Sequence, residues 1–103
     1  MKKNLKNIKF LYKKENNKIK ITNKILSNSI VLDIRTEKER IKNPLNLNKN
    51  IIKYYSLYEI SNKFHLLNQN KNYLLYCTYG LISKLQAIIL YEKGYKNIKI
   101  YRP

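Results

Sequence analysis

Cysteine occurs once in this sequence, at Cys77, and histidine once, at His65. A lone cysteine cannot close an internal disulfide, and one Cys with one His falls short of the four ligands of an ordinary zinc site. The cysteine usage therefore fits a reducing compartment, and no metal or other cofactor is expected. Glycine is nearly as scarce: Gly80 and Gly94 stand apart, so the chain contains no Ser-Gly-Gly pyrophosphate loop. Long apolar runs are missing too. No stretch approaches the ~18 apolar residues that span a bilayer, and the basic N-terminus has no continuous apolar segment of the signal-peptide kind. A cytoplasmic protein with no membrane partner is the expectation. Acidic residues are few, six against 22 Lys plus Arg, which leaves a formal charge of +16.

That charge has two readings. A basic excess points to a polyanion such as RNA. The sequence is also crowded with Lys, Asn, Ile and Tyr, residues with A- and T-rich codons, so compositional bias accounts for the lysines equally well. Residues 1–24 hold nine lysines against Glu15 alone, and so contribute +8 of the +16. Residues 1–17 read as a basic N-terminal arm and 18–103 as one domain, since a chain of 103 residues supports one core.

From Ser29 the pattern becomes regular. Ser29 to Arg35 is a short, β-branched apolar run, as in a strand buried on both faces. Residues Thr36 to Lys49 are polar, contain Pro44 and read as a connection with room for a short helical turn. Ile51 to Tyr55 reads as a second strand. Ser56 then stands as N-cap, with Glu59 completing a capping box, before Leu57, Ile60, Phe64 and Leu67 at helical spacing. Tyr73 to Cys77 is a third strand. Leu81, Leu85, Ile88 and Ile89 mark a helix for which Gly94 is the natural C′ residue. Asn97 to Tyr101 alternates and predicts a half-exposed strand. Lys18 to Thr22 reads as an edge strand, with Ile8 to Tyr12 as a possible partner. Strands alternating with helices imply an α/β fold, a mostly parallel sheet flanked by helices, with its ligand site at the carboxyl ends of the strands.

Cys77 falls at such an end. The segment Cys77-Thr78-Tyr79-Gly80-Leu81-Ile82-Ser83 runs from strand through a tight loop into a helix. Inward-pointing backbone N–H groups and the helix N-terminus would favour a negatively charged sulfur. The plainer reading, a buried small hydrophobe at a strand end, stands beside it. Cysteine-dependent phosphatases carry an arginine six residues after the cysteine. Here that place is Ser83, with Lys84 beside it, which disfavours phosphatase chemistry.

Val31-Leu32-Asp33-Ile34-Arg35, Tyr73-Leu74-Leu75-Tyr76-Cys77, Gly80-Leu81-Ile82-Ser83-Lys84-Leu85-Gln86-Ala87 and Asn97-Ile98-Lys99-Ile100-Tyr101-Arg102-Pro103 together resemble the C-terminal rhodanese domain of the bacterial tRNA 4-thiouridine sulfurtransferase family, over about residues 18 to 103. The resemblance implies a rhodanese-like fold and a Cys77 persulfide loaded by a cysteine desulfurase. It implies delivery of that sulfur to a tRNA uridine or to the thiazole of thiamine. Asp33 and Arg35 match the family's strand-end pair and are read as supporting residues that hold neighbouring loops. Two departures stand out. Tyr79 occupies a loop position where relatives carry a cation, and this sequence contains no adenylating or RNA-binding domain. A separate adenylating or tRNA-binding chain would have to supply that half. The alternative is a catalytically inert basic module that docks on tRNA or protein, or a remnant of a longer sulfurtransferase. His65, Glu37 and Glu39 read as solvated, and Tyr76, Tyr91 and Tyr101 as core or sheet-face residues.

Overall fold

The computed structural model describes residues 19–78 and 81–103. The basic arm, any pairing of Ile8 to Tyr12, and the loop residues Tyr79 and Gly80 lie outside the described residues. The elements run β1 (Lys20–Thr22), β2 (Ser29–Asp33), α1 (Glu37–Lys42), β3 (Ile52–Tyr54), α2 (Leu57–Lys63), β4 (Asn72–Tyr76), α3 (Leu81–Glu92) and β5 (Ile98–Tyr101), with 3-10 turns at Lys49–Ile51 and Phe64–Leu66. The strands form one sheet in the order β1-β5-β4-β2-β3, and each pairing is parallel. This is the α/β architecture expected from the alternation of strands and helices.

The period of two along each strand sorts the core into two layers. Leu32, Tyr73, Leu75, Ile98 and Ile100 point to the face covered by Ile60 of α2 and by Ala87, Ile88 and Leu90 of α3. Val31, Ile52, Leu74 and Tyr101 form the opposite cluster, with Ile25, Leu45 and Leu47 packed on it. Leu32, Leu75, Ile88 and Leu90 are fully buried. Each contributes about 1.5–3 kcal/mol relative to exposure. The same alternation carries past the strand ends, so Ile34 and Cys77 both join the helix-covered layer.

Local signals set the element boundaries. Ser56 caps α2 by accepting from the Glu59 N–H at 3.0 Å, while the Glu59 carboxylate accepts from the Ser56 N–H at 3.0 Å. Gly94 ends α3 at φ 102°, with its N–H donating to the Tyr91 carbonyl and the Tyr95 N–H to that of Leu90. This is the Schellman pattern, which needs a residue tolerant of positive φ at C′. The Thr36–Lys49 connection holds a six-residue helix, α1, capped by Thr36.

One expectation is corrected. β5 is not half exposed: Ile98, Ile100 and Tyr101 are buried and Lys99 is partly so. The reason is its place in the sheet. β1 pairs along it from Lys20↔Lys99 to Thr22↔Tyr101, which makes β5 an interior strand and β1 the edge.

Candidate active site

β4 is the central strand, and Cys77 is the first residue beyond its carboxyl end. The Ile34 N–H donates to the Tyr76 carbonyl at 3.0 Å, and the Tyr55 N–H to the Asp33 carbonyl at 3.1 Å. These bonds bring the carboxyl ends of β2, β3 and β4 to one level. Cys77 is buried and is a free thiol. Its Sγ accepts the Ser83 N–H at 3.2 Å. Ser83 is the third residue of α3, so this donor is one of the first-turn N–H groups that a helix leaves without an intrahelical partner. A negative charge on the sulfur gains both from that bond and from the positive end of the helix dipole. Where a phosphatase would place arginine, this chain buries Ser83 completely and uses its backbone.

Asp33 and Arg35 form a bidentate pair just beside this point. Arg35 Nε lies 3.0 Å from Asp33 Oδ1, and Nη2 lies 2.8 Å from Oδ2, with the two side chains only 2% and 0% exposed. The Arg35 N–H also donates to Asp33 Oδ1 at 3.1 Å, and Nη1 donates to the Asn43 carbonyl at 2.7 Å. The pair thus fastens the β2–α1 turn to the C-cap of α1. The hydrogen bonds that Arg35 donates to Asp33 raise the Arg35 pKa above its ordinary value, outweighing the lowering effect of burial. The guanidinium also lies 4.8 Å from the Tyr76 ring centroid. The guanidinium nitrogens donate to Asp33 and to the Asn43 carbonyl, an arrangement that suits a loop-holding role.

An open pocket of about 260 Å³ reaches Cys77, lined by Ile34, Arg35, Thr36, Glu39, Cys77, Thr78 and Ile82. The structure therefore brings together Cys77, Thr78, Ile82, Ser83, Arg35 and, through Arg35, Asp33. Leu81 opens α3. His65 is exposed in the 3-10 turn after α2, at the end of the sheet opposite Cys77.

Glu39 corrects a second expectation. It is not a solvated loop acid but a half-buried residue of α1 in the pocket wall. Its Oε1 accepts from the Thr36 N–H at 3.2 Å and from the Thr36 hydroxyl at 3.0 Å, and its Oε2 accepts from the Thr78 hydroxyl. The Thr78 bond first, then those from Thr36, lower its pKa from the ordinary carboxylate value. The Thr36-x-x-Glu39 pattern is a capping box, the same signal read correctly at Ser56 and Glu59, and could have placed Glu39 on a helix.

A parallel sheet with a lone cysteine at the end of its central strand, cradled by the following helix, defines a rhodanese-like domain. The sequence profile described as "Rhodanese-like domain" matches residues 12–102, and the chain belongs to this family. Within it the chain is similar to proteins named tRNA sulfurtransferase. The one from Blochmanniella pennsylvanica is 52% identical over 83 residues, covering 80% of this chain and 17% of that protein. The one from Psychromonas ingrahamii is 42% identical over 90 residues, covering 87% and 19%. The resemblance drawn from the Val31–Arg35 and Cys77 segments is borne out. The chain spans less than a fifth of the length of these relatives. Among solved structures, a NAD-dependent persulfide reductase from A. fulgidus is similar with a TM-score of 0.68 and 21% identity, over 91% of this chain and 16% of that one. That likeness is one of fold.

Proposed function

We propose that this chain is a rhodanese-type sulfurtransferase that carries sulfane sulfur as a persulfide on Cys77. The observation that carries the reading is the Cys77 sulfur under the Ser83 N–H, at the head of α3 and open to a pocket. The Cys77 thiolate attacks the outer sulfur of a donor persulfide, forming a new S–S bond. The donor's own S–S bond breaks, and its thiolate leaves with the bonding pair. The Ser83 N–H and the helix dipole favour the negative sulfur before and after transfer. Ile34 and Ile82 give the pocket apolar walls.

The donor is a cysteine desulfurase, and the acceptor is a tRNA uridine that becomes 4-thiouridine. An adenylating and tRNA-binding unit activates that uridine. The names of the relatives support tRNA over the thiazole of thiamine as destination. A reducing, cytoplasmic compartment suits a lone carrier thiol.

The test is reconstitution with sulfur-labelled cysteine, a cysteine desulfurase, ATP, tRNA and an adenylating chain. Label should reach tRNA with the wild-type protein and not with Cys77→Ser. Label on tRNA at equal rates with Cys77→Ser would overturn the proposal. Label that remains on Cys77 despite an active adenylating chain would redirect the acceptor toward the thiazole route.

A further inference from the structure

We propose that Glu39 is a positioning residue for sulfur transfer, tying α1 to Thr78 so that the chain leaving Cys77 is held in the shape that receives sulfur. The inference rests on the reading of Cys77 as the sulfur carrier and adds the element that holds its loop.

The two carboxylate oxygens of Glu39 serve two different parts of the fold. Oε1 completes the cap of α1 with Thr36, and a capping box asks nothing more of the residue. Oε2 is spent on Thr78, 39 positions along the chain and the first residue after Cys77. Thr78 is exposed, so water could satisfy its hydroxyl; the bond to Glu39 instead gives Thr78 a fixed point beside Cys77. On the other side the Cys77 sulfur itself meets the Ser83 N–H of α3 at 3.2 Å. The sulfur-to-donor geometry is therefore set between two anchors, Thr78–Glu39 and α3.

The neighbouring cation does not compete. Asp33 engages Arg35 Nε and Nη2, and the Asn43 carbonyl engages Nη1, so Arg35 lends Glu39 a favourable charge without drawing its carboxylate away from Thr78. The lowered pKa of Glu39, caused first by Thr78, fits a carboxylate that stays ionised while the latch is closed.

The cap and the latch can be separated by substitution. Thr78→Val removes the latch at an exposed site and leaves the cap of α1, whereas Ser56→Ala removes the cap hydroxyl of α2 and leaves the Thr78 bond. Rates of Cys77 sulfur loading from a cysteine desulfurase with cysteine are read by rapid-quench intact mass, beside thermal midpoints. The latch predicts that Thr78→Val lowers kcat for loading about tenfold with KM and thermal midpoint unchanged, the size expected for losing one bond to a charged group. Thr78→Ser restores the rate, and Ser56→Ala lowers the midpoint while loading stays near wild type. Loading by Thr78→Val at the wild-type rate, or a loss shared by Thr78→Ser, overturns the proposal. Iodoacetamide alkylation of Cys77 keeps the test independent of the sulfur chemistry. If the wild type accepts no sulfur, the functional reading fails, and the latch then stands or falls on whether Thr78→Val, and not Thr78→Ser, alkylates at an altered rate.

Discussion

Arg35 places a charge inside the domain, and Asp33 makes that placement tolerable. Bringing such a pair out of water costs several kcal/mol per ion, offset only when geometry is good and the remaining donors are met. Here both conditions hold, with two parallel N–H···O contacts and the Asn43 carbonyl. Removing one partner strands the other, so Asp33→Ala should lower unfolding stability by about 3–5 kcal/mol in a denaturant titration. A loss under about 1 kcal/mol would mean that Arg35 escapes to solvent and the pair does not hold the turn. The pairing of Asp33 with Arg35 was legible in the sequence because strand end and motif coincide within three residues. Glu39 was not legible as a pocket residue. Its capping pattern with Thr36 is local, but its contact with Thr78 joins residues far apart in sequence, and no periodicity encodes that.

Helix ends carry more of the site than helix middles. α1 and α2 are each about two turns or less, too short to persist on propensity alone, so their capping boxes and tertiary contacts decide whether they form. The box was read correctly at Ser56–Glu59, where an apolar periodic run follows it. α1 lacks such a run and buries no residue, so the polar stretch looked like a loop. Both box carboxylates have pKa values lowered in the folded chain, Glu39 chiefly by Thr78 and Glu59 chiefly by the Ser56 backbone N–H. A carboxylate with a depressed folded pKa adds stability that is fully present above its unfolded value of about 4.5 and is lost as pH falls through the folded one. The thermal midpoint should therefore drop on going from about pH 6 to about pH 3. In Glu59→Gln the drop should be smaller, because that position then carries no titrating carboxylate; an undiminished drop would remove Glu59 from the account. Ser56→Ala, which removes the N-cap hydroxyl, should lose about 1 kcal/mol at neutral pH.

At the scale of the whole chain, the sheet order follows from parallel pairing and helix crossovers, and the alternation of elements announced both. What it did not announce was the neighbour of β5. Alternating polar and apolar residues in Asn97–Tyr101 look like a half-exposed strand until β1 closes over that edge, a pairing of residues about eighty positions apart. The charge of +16 is another whole-molecule property. Like charges confined to a small volume repel, and salt screens them. Stability should rise as sodium chloride is raised from about 0.02 M to about 0.5 M, read as an increase in thermal midpoint. An unchanged midpoint would show that the lysines are too far apart to interact. The central claim concerns the one sulfur atom at the end of the central strand, and intact mass spectrometry tests it most directly. After incubation with a cysteine desulfurase and cysteine, the wild-type protein should gain the mass of one sulfur atom, removable by reductant and absent in Cys77→Ser. No gain in the wild type, or an equal gain in Cys77→Ser, would contradict the account.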